Sequence, residues 1–139
     1  MVQVKFPGVL DRVKAIVTDS VVLLLFIIIA TYTFSFFDNV PDNAKIAAFV
    51  FIILYDPIFT SIFGGTIGHM LIGIRVKRES DETRNILFPL AILRFIVKAS
   101  LGWISLLTVS GNKKGKAIHD YLVGSVVIYA GQTENKNEC

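Results

Sequence analysis

Ser-Val-Val-Leu-Leu-Leu-Phe-Ile-Ile-Ile-Ala-Thr-Tyr-Thr-Phe-Ser-Phe-Phe, residues Ser20–Phe37, decides the class of this protein. No position in it carries Asp, Glu, Lys or Arg, and Val21–Ala30 is apolar on every side. A helix apolar all round is a membrane span or a deeply buried core helix. A chain of 139 residues cannot build a core around several such helices. The stretch is just long enough to cross a bilayer, and Tyr32, Phe34, Phe36 and Phe37 give it the aromatic end expected at headgroup level. It exceeds a signal-peptide apolar region, and no Ala-x-Ala site follows before Asp38, so it reads as a permanent anchor.

A second uncharged stretch of the same length, Pro57–Ile74, lies further along. The chain is 53% hydrophobic with a mean hydropathy of +0.63, and 18% of it is charged where about 25% is usual. A soluble enzyme is not expected. One cysteine, Cys139, excludes a disulfide scaffold. The net charge of +3 and pI near 9.1 come from Lys and Arg flanking apolar runs, the juxtamembrane pattern. Lys113, Lys114 and Lys116 have no interleaved aromatics on which bases could stack, so no nucleic-acid partner is expected.

From the first span the pattern extends in both directions. The first helix is expected from Val9 or Asp11 to about Phe37, after Pro7 and Gly8. Asp38–Lys45 has turn chemistry in Asn39, Pro41, Asp42 and Asn43. A second span starts at Ile46, and Pro57 either kinks it or begins a new helix. Gly64, Gly65, Gly68 and Gly73 make the following segment suited to close packing or irregular backbone. Ile72–Ser80 alternates apolar and polar and reads as a strand; Leu122–Tyr129, rich in β-branched residues, reads as a second. Between them Ile86–Val109 is a third apolar segment, with Arg94 and Lys98 on one helical face.

Lys5, Arg12 and Lys14 before the first span, and Arg75, Lys77, Arg78 and Arg84 after the second, against Lys45 alone between them, place the N-terminus in the cytoplasm. A full third crossing would put Lys113, Lys114 and Lys116 outside; a re-entrant or interfacial segment would keep both strands on the cytoplasmic side, free to pair. The expected fold is an all-α membrane protein with two transmembrane helices, a third apolar segment (spanning, re-entrant or interfacial) and a small cytoplasmic two-strand element. One domain over residues 1–130 and a disordered tail over 131–139 are expected.

Charge inside a bilayer costs about 2.5–3.5 kcal/mol on insertion scales, so each case needs a partner or a water path. Arg12 and Asp19 lie seven residues apart on one helical face, about 10 Å along the axis. Asp19 is an ion-pair partner fixing helix depth, or a titratable proton or cation site facing a water-filled crevice. Asp56 caps a helix begun by Pro57, or binds an ion through broken-helix backbone. Arg94 and Lys98 are snorkelling groups or carboxylate partners, with an anion or headgroup site as the alternative. Asp120, beside His119, is expected to accept from backbone N–H groups or pair with Arg, and His69 to be a satisfied interface histidine. No nucleophile–base constellation, metal signature or dinucleotide motif is visible, so neither an enzyme, a cofactor nor a metal is expected.

Four elements in order resemble the RDD family of small bacterial membrane proteins. Asp11-Arg12-Val13-Lys14-Ala15-Ile16-Val17-Thr18-Asp19 is similar to that family's R-x-x-A-x-x-x-D. Thr66-Ile67-Gly68-His69-Met70-Leu71-Ile72-Gly73-Ile74-Arg75-Val76 resembles its T-x-G-x-x-x-x-G-x-R-V, and Leu93-Arg94 its leucine–arginine in the third segment. Ile118-His119-Asp120-Tyr121-Leu122-Val123-Gly124-Ser125-Val126-Val127 is similar to its L-H-D-x-x-x-G-T-x-V-V. His69 stands where a basic residue is usual, Ser125 where Thr is usual, and the stretch from Arg94 to His119 is short for a complete further crossing.

The resemblance covers about residues 9–128 and makes Arg12, Asp19 and Asp120 the family's eponymous arginine and two aspartates. Its molecular function is mostly unknown, and some members look like sodium/proton antiporters. Two expectations follow. One is a secondary transporter of the bacterial inner membrane, multi-pass and homo-oligomeric, exchanging monovalent cations and protons. Asp19 would carry the proton, Arg12 would favour its ionised form, and Asp120, Arg94 and Asp56 would support or gate. The alternative is a non-catalytic scaffold or accessory subunit recruiting a partner or anionic lipid.

Overall fold

The computed structural model describes residues 5–132. Helix α1 (Val9–Ser35) starts directly after Pro7-Gly8 and ends where Asp38 to Pro41 begin the turn. Its 27 residues span about 40 Å, against about 30 Å of hydrocarbon. It therefore projects beyond the bilayer, and the charged Asp11–Asp19 turns occupy one end.

Helix α2 (Asp42–Phe63) returns, and Pro57 lies inside it without ending it. Asp56 is accordingly an interior helix residue, not the cap considered above. The helix stops at Gly64, whose φ of 75° is open to glycine at little cost. The Gly64 and Gly65 amides bond the Thr60 and Phe59 carbonyls at 3.1 and 3.4 Å, consuming acceptors that a buried helix end would otherwise orphan.

Only 11% and 17% of the most apolar windows of α1 and α2 are buried. Leu24, Leu25, Ile28, Ile29, Phe49 and Phe51 all lie exposed. Such outward apolar faces belong in lipid, and the chain is a membrane protein. The two helices touch through the Phe26 and Tyr55 rings, edge to face at 6.0 Å, while α1 otherwise packs on α3 and α2 on α4.

Beyond α2 come the short helix α3 (Ile67–Ile72) and strand β1 (Ile74–Arg78), then α4 (Phe88–Leu101), α5 (Ile104–Leu107), a 3₁₀ turn at Thr108–Gly111, α6 (Ile118–Val123) and β2 (Ser125–Tyr129). The strands pair antiparallel, with Ile74 opposite Tyr129, Val76 opposite Val127 and Arg78 opposite Ser125. Ala15, Ile74, Val76, Ile86, Ala91 and Val127 form a small core where the sheet meets α1 and α4.

The third apolar segment bends by 100° between α4 and the α5–3₁₀ stretch, at Gly102 with φ 51°. Its two ends lie together. Lys77 Nζ donates to Asn85 Oδ1 at 2.7 Å before it, and Lys114 reaches Glu79 at 2.9 Å after it. The segment thus leaves the sheet end of the molecule and comes back to it. The second expected strand is shorter than read: Leu122 and Val123 end α6, and Gly124, φ 61°, separates helix from strand. Residues 133–139 of the expected tail lie outside the described residues.

Candidate functional site

Asp120 sits in the first turn of α6, where its Oδ2 accepts from the Ala117 amide at 3.2 Å and so closes the helix start. The same oxygen takes Arg12 Nη1 from α1 at 2.7 Å; Oδ1 takes Arg94 Nε from α4 at 3.0 Å and the Ser125 hydroxyl at 3.2 Å. Arg12 Nη2 also donates to the Gly115 carbonyl at 2.6 Å. One carboxylate thereby ties α1, α4, α6 and the head of β2. Asp120 is fully buried, and Arg94 and Arg12 are 1% and 4% exposed.

Burial opposes ionisation of Asp120, but the Arg12 and Arg94 guanidiniums outweigh it and hold the carboxyl well below its usual range. Burial, then Arg94, push the neighbouring His119 imidazole down to about 3, so it is neutral; its Nδ1 lies 2.7 Å from the Ser105 hydroxyl and its Nε2 3.6 Å from Asp120 Oδ1. Two guanidiniums on one carboxylate leave a net positive cluster. Among the described residues, Arg12 Nε and Arg94 Nη1 are buried donors without an acceptor.

Asp19, two turns further along α1, has other partners. Its Oδ1 accepts from the Gly68 amide at 2.7 Å and the Tyr55 hydroxyl at 3.2 Å, and its Oδ2 from the Thr66 hydroxyl at 2.5 Å. Thr66 is the N-cap of α3, and the Tyr55 hydroxyl itself accepts from the Ile67 amide at 2.9 Å. Gly68 allows the approach, since a Cβ there would lie 2.2 Å from the Ala15 carbonyl oxygen. Thr66 Oγ1 also stands 2.5 Å from His69 Nδ1. A hydroxyl has one proton, so when Thr66 donates to Asp19 it is His69 Nδ1–H that donates to Thr66. Burial holds the His69 imidazole below its usual range, leaving it neutral at pH 7.

Asp56 on α2 pairs with Lys98 on α4, Nζ to Oδ2 at 2.6 Å, and accepts from the Thr60 hydroxyl at 3.2 Å. Asp19, Asp56 and Lys98 line one cavity of about 320 Å³, together with Tyr55, Thr66 and Ser20 and an apolar wall that includes Leu23, Ile52 and Phe95. An adjoining slot of about 200 Å³ shares Ile16, Phe95 and Lys98 and continues to Gly102, Trp103 and Leu106.

The five singled-out residues therefore divide. Arg12, Arg94 and Asp120 form one buried cluster; Asp19 and Asp56 face one cavity. Arg12 turns to Asp120 and Gly115, not to Asp19, because the two side chains meet different neighbours, α6 and α3. Sequence reasoning missed Tyr55 and Thr66 as partners of Asp19; it offered Lys98 as a carboxylate partner without naming Asp56 as the carboxylate. Thr66 carried a signal, since Thr-x-x-His ahead of an apolar turn is where a capping hydroxyl would sit. Nothing local announces Tyr55.

Two long apolar helices, a bent third segment and charges paired at one end define a small multi-helix membrane protein. The RDD family model matches residues 6–124, and the chain belongs to the RDD family. No curated protein and no solved structure matches it.

Proposed function

We propose that this protein is a secondary transporter exchanging a monovalent cation for protons, with Asp19 carrying the exchangeable proton. The observation that carries the reading is the cavity between α1, α2 and α4, which has two carboxylates, Asp19 and Asp56, on its wall. Ionisable groups on a cavity within a membrane protein mark substrate and proton paths more often than packing needs. Asp19 in its ionised form is matched by three donors, Gly68 N–H, Tyr55 O–H and Thr66 O–H. A proton or a cation arriving at Asp19 competes with those donors, which is the condition for alternating occupancy.

Arg12, Asp120 and Arg94 hold the framework in this reading, and Asp56 with Lys98 forms the opposite wall. The partners are lipid, protons, a monovalent cation and further copies of the chain. The setting is a bacterial inner membrane with the N-terminus and the sheet on the cytoplasmic side, as the Lys and Arg distribution favours. No catalytic role is assigned.

The test is ion-driven proton movement in sealed proteoliposomes, with sodium, lithium and potassium each supplied in turn. A cation-dependent pH change that disappears in Asp19→Asn supports exchange through Asp19. Full coupling in that variant would remove Asp19 from the path. One observation favours the scaffold alternative: the eponymous Arg12 and Asp120 are committed to each other in a structural contact. Absence of flux in correctly inserted protein, with a partner that co-purifies, would select it.

A further inference from the structure

Strand β1 alternates, so Arg75 and Lys77 stand about 7 Å apart on one face, away from the side by which Ile74 and Val76 enter the core. Their cross-strand neighbours on β2 are Ile128 and Val126, both apolar. Other cations at this end of the molecule meet a carboxylate: Lys14 has Asp11, and Lys114 and Lys116 share Glu79. Among the described residues Arg75 and Lys77 do not. Lys77 Nζ donates to the neutral Asn85 Oδ1 at 2.7 Å, and Arg75 Nη1 reaches the Ile74 carbonyl at 3.3 Å. Both side chains are partly buried. Burial, then the Arg75 charge, make Lys77 a weaker base than an ordinary lysine, the mark of like charges held together.

Asn85 also fixes where the pair lies. Its Nδ2 donates to the Ile62 carbonyl at 2.7 Å, in the last turn of α2. A Cβ on Gly64, which ends that helix, would stand 2.8 Å from Asn85 Oδ1 and 3.5 Å from Arg75 Cδ. Ile62 and Phe63, just before it, are exposed apolar side chains that belong in lipid. The pair therefore sits where α2 leaves the hydrocarbon, at the level of the lipid phosphates. A guanidinium fork beside an ammonium is a donor set that phosphate oxygens take well.

We propose that Arg75 and Lys77 hold the phosphate of one anionic phospholipid, from the leaflet at the sheet end of the molecule, with its acyl chains along Ile62 and Phe63. The negative headgroup supplies the charge that this strand face lacks. A zwitterionic headgroup carries its own ammonium and does not. The site is independent of the exchange reading, since neither residue lines the Asp19 cavity, and the test below involves no flux.

The experiment is thermal unfolding of the purified full chain in detergent, followed by the fluorescence of its single tryptophan, Trp103. Phosphatidylglycerol, phosphatidylcholine or inorganic phosphate is titrated in. Wild type is expected to gain several degrees, saturably, with phosphatidylglycerol alone. Arg75→Gln and Lys77→Met should each raise the half-saturating lipid concentration at least about tenfold. Lys113→Gln removes an exposed lysine next to Lys114, near the same sheet end, and should change it by less than about twofold.

Should either variant fail to fold, acetylation of the wild type carries the test, read lysine by lysine by mass spectrometry. Phosphatidylglycerol should protect Lys77 and leave Lys113 as reactive as before. Equal effects at Lys113, in either measurement, mean diffuse attraction to the whole basic surface and overturn the site. An equal response to phosphatidylcholine overturns it too, as does a shift with inorganic phosphate at the same concentration, which would assign a soluble anion. A folded wild type that responds to none of the three also overturns it.

Discussion

Replacing Gly68 by Ala puts the close approach of α3 to α1 under load. The added Cβ would lie 2.2 Å from the Ala15 carbonyl oxygen and 2.7 Å from both Cγ and Oδ1 of Asp19. The first obstacle is backbone, in the second turn of α1, and cannot rotate away. Restoring a carbon–oxygen separation of about 3.3 Å requires α1 and α3 to part by about 1 Å. Overpacking of that kind costs about 1–3 kcal/mol. The same movement stretches the Gly68 N–H bond to Asp19, now 2.7 Å, and a hydrogen bond to a charged group contributes about 1.5–3 kcal/mol. Together the loss is about 3–5 kcal/mol, a large part of the ~5–15 kcal/mol that holds a typical domain folded. For a chain of this size it corresponds to a drop of more than about 10 °C in melting temperature. The assay is a fluorescence melt of detergent-purified protein, with Gly111→Ala alongside. Gly111 has open space around its would-be Cβ and lies outside the positive-φ region, so that variant should melt like wild type. Gly68→Ala melting together with Gly111→Ala would refute the close packing of α1 on α3.

Further outcomes can be measured on the same material. Asp120→Ala leaves two buried guanidiniums facing each other and should cost about 3–5 kcal/mol, read as lost monodispersity on size-exclusion chromatography or as a lower melt. Arg12→Lys should not rescue its site, because one ammonium cannot serve both Asp120 and the Gly115 carbonyl in the geometry of the guanidinium. Stability should fall on acidification: His119 is depressed to about 3 from an ordinary value of 6.5, so the unfolded chain takes up its proton first. The contribution is complete above pH 6.5 and declines by about 1.4 kcal/mol per pH unit as pH falls towards 3. His119→Gln should flatten the melting profile in that window, and an unchanged slope would exclude His119 as its source. In a Cys139→Ser background, Thr83→Cys and Lys113→Cys should react with an impermeant maleimide from one face of the membrane and Asn39→Cys from the other. Opposite labelling of Thr83→Cys and Lys113→Cys would contradict the return of the bent segment.

The spans were legible because lipid asks little of a helix but apolar side chains, so Ser20–Phe37 needs no knowledge of its neighbours. The strand at Ile74–Arg78 was legible from its alternation, whereas the lysines after the third segment left its return open beside a full crossing. The six-residue helices α3 and α6 were not, since fewer than two helical turns have no periodicity to read. Pro57 was ambiguous for a related reason: apolar residues continue on both sides of it whether the helix runs on or restarts. The site was half legible. Intramembrane charge picked out Arg12, Asp19, Asp56 and Arg94, and the family resemblance Asp120, but spacing along one helix suggested Arg12 with Asp19. Their actual partners, Asp120 and the Gly68–Thr66–Tyr55 donors, lie 108 and 36–49 positions away. No local rule reaches that far.

The separation of 108 positions between Arg12 and Asp120 also sets a clock. At ordinary synthesis rates roughly 5–20 s pass between the emergence of one partner and the other. Throughout that interval α1 is in place with its guanidinium unmatched, joined later by Arg94 and still without the carboxylate both need. The newborn chain is thus marked as unfinished by two bare cations at one membrane surface, and a product cut short before α6 stays marked. Surveillance proteases or chaperones that engage exposed cationic helix ends would meet the incomplete chain and not the complete one.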